Sequence, residues 1–554
     1  MVDIRAAMKQ AFKERIVSGL TRHAVTKPSK WAEKYRVIDY KPWSFRRHPW
    51  LIDMHDSKSE YNVGQKAAQM GFTETLLNLA FYAIDILGKD VLYVLPNKNP
   101  DASDFSSGRF DPAREQSQHI ADMFTNVDNV GHKRAGNANL YVRGSNSRAG
   151  LKSVPIHTLL MDEVAEFVEE NIPLALERTS GQLSFLVWMV STPTIDGFGI
   201  SKFYEQSDKK HLYFKCPSCS KYIKLLFPES LVICGDDKFD PRVKESHLIC
   251  VQCKAKLDHQ LKSEWLSTYK WVPEVENRDW SGWSVSQLYS TTVKPEAIAA
   301  SYFDSLVHPA HEVELYNSKL GLSHTIKGAR VDSDEIEYAI MHGPKRRRND
   351  APLGGLYTMG VDVGKFLHFT IRRWIKDPKG VGSYDLNQMF KPVVENYGTV
   401  SHFSELDKYF AQYNLSMCVV DMNPEKRAAL EFARRHYGRV KLCFFGRGIS
   451  ARSVILGKDP DEPVISVDRS AWLDQTLGRF KNKTISLPID VNLEYRSHIQ
   501  APVKTYTKDA DGNYVSKYLT QDSQEDHYTF AELYAEVALA FSGVGGATQN
   551  IVSY

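Results

Sequence analysis

From Val63 to Leu95 the sequence writes three elements in an order that leaves little freedom. A polar, glycine-containing turn (Val63-Gly-Gln-Lys-Ala-Ala-Gln-Met-Gly-Phe-Thr-Glu74) runs into an amphipathic stretch with helical spacing, Thr75 to Leu87, and then into the apolar run Val91-Leu-Tyr-Val-Leu95. Loop, helix start and buried strand together predict a parallel α/β sheet. In that setting free backbone N–H groups and the positive end of a helix dipole can hold phosphate. The usual phosphate loop closes on Gly-Lys-Ser/Thr. Here Gly71 is followed by Phe72 and Thr73, and the loop's lysine, Lys66, stands at its front. Taken alone, a stretch of this kind is more often an ordinary turn than a nucleotide site.

The same alternation continues to about residue 200, with strands expected at Leu140–Val142, Thr158–Met161 and Phe185–Ser191. Ile156-His-Thr-Leu-Leu-Met-Asp-Glu163 is an apolar strand that delivers two acids at its C-terminal end, where open α/β sheets place their ligands. Asp162 would hold Mg²⁺ through water and Glu163 would polarise the attacking water, the two acidic functions a nucleotide hydrolase needs. Asp-Glu after a strand is also a common helix start. Leu186 to Thr194 ends in hydroxyl residues, and Ser191 and Thr192 are candidates for sensing a γ-phosphate. Arg143 and Arg148 lie in a polar, glycine-flanked loop. Either could be an arginine finger for this subunit's site or a neighbour's, and one of the two would be ordinary surface.

At 554 residues the chain is too long for one core. Hydrophobic content of 42% and charged content of 25% are those of a globular protein, and no apolar run approaches the ~18 residues of a membrane span. No signal-peptide pattern opens the sequence, and residues 1–20 resemble a basic amphipathic helix, so a cytoplasmic protein without membrane partners is expected. The net charge of +3 is nearly balanced. The local basic runs Lys345–Arg348 and Arg372-Arg373 can be read either as solvated surface or as phosphate contacts. Trp31, Trp43 and Trp50 could border an adenine pocket, but the better reading is the cap of a core.

Seven cysteines without a secretory signal do not suggest a disulfide framework. Cys216-Pro-Ser-Cys219 and Cys250-Val-Gln-Cys253, with thirty residues between the pairs, have the spacing of a closed four-thiolate Zn²⁺ ribbon. Cys234, Cys418 and Cys443 read as core residues. After a Pro/Gly-rich, charged stretch at 343–355, three aspartates fall at telling points. Asp362 lies in the first strand of a second domain, Asp421 follows the strand at 417–420, and Asp526 precedes the last helix, Phe530–Phe541. First strand, later strand and C-terminal helix are the elements that converge on the two-metal site of ribonuclease-H-type nucleases. Asp468, Asp474, Asp522 and Glu525 are nearby substitutes, and His527 could assist.

An ATPase of this kind, a cysteine ribbon and a nuclease in one chain resemble the large terminase subunit of tailed bacteriophages, nearest to its lambda-type, GpA-like group. The likeness runs from about Trp31 to Phe541. It is carried by Lys66-Ala-Ala-Gln-Met-Gly-Phe-Thr73, Pro96 to Arg109, Arg143-Gly-Ser-Asn-Ser147, Asp162-Glu163, the cysteine pairs, Asp362, and Asp526-His527 followed by Glu532-Leu-Tyr-Ala535. Gln69 departs from the family's usual arginine. Asp421-Met-Asn-Pro-Glu425 departs from its glycine-rich aspartate turn, so Glu425 is a second candidate there.

The resemblance implies an α/β multidomain protein: a RecA-like P-loop ATPase domain with a zinc ribbon insertion, and a ribonuclease-H-like nuclease domain. The expected divisions are an N-terminal adenine-side segment (1–60), ATPase core (61–210), ribbon (211–260), remainder of the ATPase domain (261–345), linker (346–355) and nuclease (356–554). ATP would lie against Lys66, Gln69, Gly71, Phe72, Thr73, Glu74, Asp162 and Thr192, with Mg²⁺ or Mn²⁺ in both active sites and Zn²⁺ in the ribbon. The implied partners are double-stranded DNA, a small terminase subunit, the portal of a procapsid and further copies of the chain in a ring, in the cytoplasm of an infected bacterium. A helicase with a fused nuclease, or a non-enzymatic zinc-ribbon DNA-binding protein, are the alternatives.

Overall fold

The structure is a computed structural model. It describes residues 25–543, except 126, 153–154, 379–385, 447–448, 450–453, 458–462, 510 and 522, together with 551–552. The expected helix at 1–20 and the candidate Asp522 lie outside the described residues. The chain divides into two units, Met1–Thr325 and Ile326–Tyr554.

Unit one is built on strands β1 (Tyr61–Lys66), β2 (Val91–Leu95), β3 (Ala138–Gly144), β4 (Thr158–Asp162), β5 (Leu186–Ser191), β6 (Lys210–Lys215) and β7 (Trp280–Val285). They lie in the order β6-β7-β1-β5-β4-β2-β3, each parallel to its neighbours. Every residue of β2 and β4 is buried, as continuous apolar runs in a two-sided parallel sheet should be. Helix α1 (Phe72–Asp85) follows the turn. It is less amphipathic than its sequence suggests, because every residue from Thr75 to Ile84 is buried. Its outer side is covered by the N-terminal aromatics: Trp31 and Trp50 are fully buried in the same cluster as Leu76 and Phe81. These tryptophans cap the core.

Unit two begins before the linker expected at 346–355. Helix α2 (Ser333–Met341) packs Ile336 and Ala339 into this unit's core, and Leu487 donates its N–H to the carbonyl of Ala339 at 3.1 Å. Residues 326–345 therefore belong to unit two, and only 261–325 complete unit one. The sheet comprises β8 (Leu356–Val363), β9 (Leu367–Lys376), β10 (Phe390–Val400), β11 (Met417–Asp421), β12 (Val440–Phe445) and β13 (Val464–Val467), in the order β10-β9-β8-β11-β12-β13. The first three pair antiparallel, and β8, β11, β12 and β13 pair parallel. Helices α3 (Arg469–Lys481), α4 (Leu493–Gln500) and α5 (His527–Leu539) follow. Helix α5 lies directly on β8. A Cβ on Gly360 would stand 2.0 Å from the carbonyl oxygen of Ala531, so only glycine permits this approach.

Arg372-Arg373 is not solvated surface, whereas in the run Lys345–Arg348 both Lys345 and Arg347 are exposed. Arg372 is fully buried and pairs with Glu532 and Glu536 of α5. Successive residues of a strand point to opposite faces. Arg373 accordingly pairs elsewhere, with Glu395 at 2.6 Å, and Arg346 meets the other oxygen of that carboxylate at 2.9 Å. No helix among the described residues is long and apolar enough to cross a membrane.

Candidate active sites

In unit one the C-terminal ends of β1, β4 and β5, three adjacent strands, bring Lys66, Asp162-Glu163 and Ser191-Thr192 together. Beyond them opens a cavity of about 450 Å³ lined by Lys66, Gln69, Gly71, Phe72, Thr73, Glu74, Glu163 and Thr192, all expected from the sequence, and by Arg109, which was not. Lys66 is buried, and its Nζ donates to Glu163 Oε1 at 2.9 Å. Burial works against the Lys66 charge, but the carboxylates of Glu163 and Asp162 outweigh it and raise its pKa. Glu163 is half-exposed, and its backbone turns into the left-handed region at φ 59°. That turn swings its carboxylate from the strand end towards Lys66, and Ser191 Oγ donates to its second oxygen at 3.3 Å.

Asp162 is buried, and its Oδ2 accepts the Tyr93 hydroxyl at 2.9 Å. Its Oδ1 is buried without a hydrogen-bond partner. Burial first, and then the charge of Glu163, raise the Asp162 pKa, while Lys66 and the Thr73 hydroxyl act in the opposite direction. A buried carboxylate oxygen left open beside a hydroxyl and below a loop ending in a helix N-terminus suits a hard divalent cation with a polyphosphate. Gln69, at φ 59°, and Gly71, at φ 84°, shape the loop, and α1 starts at Phe72.

The loop is held from the stretch expected only as the remainder of the ATPase domain. Ala67 and Ala68 donate their N–H groups to the carbonyls of Val285 and Ser318 at 3.0 and 2.8 Å, and Gln287 Nε2 donates to the Ala68 carbonyl at 3.0 Å. Gly321, at φ 67°, lies so near that a Cβ there would stand 2.6 Å from Ala67 N.

Neither arginine singled out from the loop at 141–151 lines the cavity. Arg143 Nη1 donates to the carbonyls of Gly131 and Val142, and Arg148 is exposed at the start of a short helix, Arg148–Leu151. The guanidinium at the cavity is Arg109, whose Nη1 meets Glu74 Oε1 at 3.2 Å; the buried Arg36 holds the other oxygen at 2.7 Å. Glu74 thus lines the cavity with both oxygens engaged by arginines.

Beyond β6, Cys216, Cys219, Cys250 and Cys253 place their sulfurs within 4.8 Å of one another. Two Sγ–Sγ separations are 3.8 and 3.9 Å. A tetrahedral ion with bonds of about 2.3 Å requires sulfurs roughly 3.8 Å apart, so the cluster fits Zn²⁺. The two knuckles share one turn: Ser220 and Lys254 donate back to the carbonyls of Cys216 and Cys250, both at 2.9 Å, and take φ of 58° and 59°.

In unit two, Asp362 near the end of β8 is buried, and the Nδ1 of His527, at the start of α5, lies 2.8 Å from its Oδ2. Asp421, at the end of β11, accepts the Asn423 N–H at 3.0 Å, and Asp526 accepts the Thr520 hydroxyl at 2.7 Å. Burial pushes Asp421 up to about 6, helped by the charge of Asp362. Burial likewise raises Asp362, against the pull of His527 and with a smaller push from Asp526. The three expected acids are therefore electrostatic neighbours, but the tightest cluster around Asp362 is a different one, Asp362, His368 and His527. His368 had a signal that could have been read: a tight β8–β9 hairpin makes it the direct cross-strand partner of Asp362.

The substitute acids have other work. Asp474 holds Lys504 and Tyr518, Asp468 caps α3, and Glu425 precedes the helix Lys426–Arg435. Glu525 faces His498 at 3.5 Å.

Residues 40–271 match the family described as phage terminase large subunit gpA, ATPase domain. Among solved structures, the large terminase of bacteriophage HK97 superposes over 92% of this chain and 99% of its own, with 10% identity and a TM-score of 0.50. That is a likeness of fold. A large terminase from a thermophilic bacteriophage covers 89% of this chain and 98% of its own at 11% identity, with a TM-score of only 0.33. No curated protein matches the sequence.

Proposed function

We propose, from the premise that residues 40–271 match the phage terminase large subunit gpA ATPase family, that this chain is the large subunit of a DNA-packaging terminase. Unit one would hydrolyse ATP to drive double-stranded DNA into a procapsid, and unit two would cut the concatemeric DNA. The observation that carries the reading is the Lys66–Glu163 pair at the cavity mouth, beside the open buried oxygen of Asp162.

Asp162 and Thr73 are the residues to hold Mg²⁺, which when bound neutralises charge developing on the transferred phosphoryl group. Lys66 would leave Glu163 for the phosphates. Glu163, freed of its partner, would orient the attacking water and take up its proton. Ser191, which touches Glu163, and Thr192, which lines the cavity, would report the γ-phosphate to the rest of the sheet. Arg109 is the guanidinium available within the subunit. Exposed Arg148 is the one to reach a neighbouring copy's nucleotide in a ring.

In unit two, Asp362, with Asp421 and Asp526 nearby, would hold the divalent ions that activate water against a phosphodiester. The cysteine cluster would hold Zn²⁺ as a closed structural site, because four thiolates leave no open coordination position. A small terminase subunit, a portal and further copies of the chain are the partners this function requires, in the cytoplasm of an infected bacterium.

ATP turnover of Lys66→Ala and Glu163→Ala tests the motor, since normal rates in both would remove it. Plasmid cutting by Asp362→Ala tests the nuclease in the same way.

A further inference from the structure

The phosphate loop does not hold itself. Its Ala68 carbonyl accepts the Gln287 amide at 3.0 Å, and its Ala67 N–H goes to the Val285 carbonyl at 3.0 Å. Both partners lie at or just beyond the end of β7, where the chain enters a one-turn helix, Gln287–Tyr289. A turn this short leaves the carbonyls at its C-terminal end without partners of its own. A lysine from elsewhere takes them. Lys262, which opens the short helix Lys262–Leu266, donates from Nζ to the carbonyls of Leu288 at 2.9 Å and Ser290 at 2.8 Å.

A lysine is a poor filling for that space unless its donors are needed. Lys262 is only 1% exposed, no carboxylate pairs with it among the described residues, and burial alone lowers its pKa to about 7. An apolar side chain of the same length would avoid that desolvation. The two carbonyls are what the lysine serves, and a neutral amine still has two N–H groups for them. The same turn is gripped from the cysteine side. The Tyr289 hydroxyl accepts the Leu225 N–H at 2.8 Å and donates to the Leu212 carbonyl of β6 at 2.6 Å. Cys216 follows β6 directly, so the turn ties the strand leading into the cysteine cluster to the phosphate loop.

We infer that Lys262 is a positioning residue for the phosphate loop. Through the Gln287–Tyr289 turn it fixes the Ala68 carbonyl, and with it the loop's affinity for nucleotide. The inference rests on the ATPase reading of unit one and adds a residue outside the cavity, which Ala68 lines and Lys262 does not. Without Lys262 the two carbonyls turn to water, the turn loosens, and the loop meets polyphosphate from many positions instead of one. That penalty falls equally on the ground state and the transition state, so it appears in KM and not in kcat.

The test compares the full-length chain with three variants. Lys262→Met keeps the side chain's length and removes its donors, and Lys262→Arg restores donors. Leu257→Ala removes buried apolar contact from the same core and no donor. In the nucleotide-free chain, the Ala67 and Ala68 amides should exchange hydrogen about tenfold faster in Lys262→Met and within about twofold of wild type in the other two. KM for ATP should rise about fivefold in Lys262→Met with kcat within about twofold, and Lys262→Arg should restore most of it. Equal exchange in Lys262→Met and wild type overturns the inference. So does equal acceleration in Leu257→Ala, which would make the effect a general loosening of the core. In the wild type, a non-hydrolysable ATP analogue should slow exchange at Tyr289 and Ser290 as well as in the loop. A turn that does not respond overturns the relay whether or not the variants fold. Faster loop exchange in Lys262→Met, beside a wild type that turns over no ATP, upholds the dependence on Lys262 and removes the ATPase. Normal wild-type turnover with equal exchange does the reverse.

Discussion

The two sites solve opposite electrostatic problems. In unit one a lysine stands among the acids, so Glu163 has a built-in counter-charge, and the cleft is prepared for an anion that brings its own cation. In unit two, among the described residues, no lysine or arginine acts on Asp362 or Asp421. Burial pushes both carboxyls up, the charge of Asp362 adds to it at Asp421 and that of Asp526 at Asp362, with only a histidine in opposition among charged groups. Unit two does keep arginines, but places them behind the site, where Arg372 and Arg479 neutralise the buried Glu536 of α5. A site with an internal cation can stand ready without a metal. One without it is unbalanced until a metal arrives.

The largest effects should come from exchanging lesions between the sites. Lys66→Ala should lower ATP turnover by roughly a hundred- to a thousandfold, as loss of a transition-state charge contact does, and leave plasmid cutting within about twofold. Asp362→Asn should do the converse. Turnover and cutting that fall together in both variants would break the comparison.

Next in size, Arg372→Met leaves Glu532 and Glu536 with one buried partner fewer and should destabilise unit two by about 3–5 kcal/mol. Calorimetry should show that unit's transition moving down while the other holds its position. A smaller effect separates the units by pH. Burial pushes His55 in unit one down to about 4, with its neutral ring held between the Leu51 carbonyl and Asn78. The unfolded chain protonates near 6.5. His55's contribution is therefore complete above that pH and is lost as pH falls to 4, by roughly 3 kcal/mol.

Glu536 titrates in a different window. Burial raises it, but Arg479 and Arg372 outweigh burial and hold it at about 2, so its contribution is present above 4.5 and lost only as pH falls towards 2. Melting of wild type against His55→Gln between pH 6.5 and 4 checks the first window, and a slope equal in both would remove it. The smallest expected change is in Arg109→Ala, which should raise the KM for ATP roughly threefold to tenfold with kcat nearly kept. A fall in kcat alone would make Arg109 a transition-state group instead.

Unit one's site was legible because its acids are adjacent in sequence at the end of one apolar strand, and a strand end is a place that can be read. What holds the loop was hidden. Trp280-Ser-Gly-Trp-Ser-Val285 mixes small polar residues with tryptophan and does not look like a buried strand, yet it pairs with β1. Arg143 was read from its loop's composition, but that loop's first residues continue β3, and the side chain stays with neighbouring carbonyls.

Arg109 lies in an irregular helical run that periodicity cannot phase. In unit two the acids were found by topology, one element at a time, and His368 was missed because cross-strand partners were not counted through the hairpin. Arg372-Arg373 looked like a basic patch in one dimension, whereas a strand sends the two side chains to separate faces.

The Lys66–Glu163 contact has a further consequence, for idling. While it is made, the group that would activate water is tied to the group that would grip phosphate, so a waiting subunit has neither hand free. The pair's carboxylate is half-exposed, and the contact is therefore weakly held. An arriving triphosphate, with several negative charges, easily displaces a single carboxylate from the lysine. Under the proposed function the cleft would act as a clutch that engages only when the triphosphate arrives, so that an empty site would stay idle.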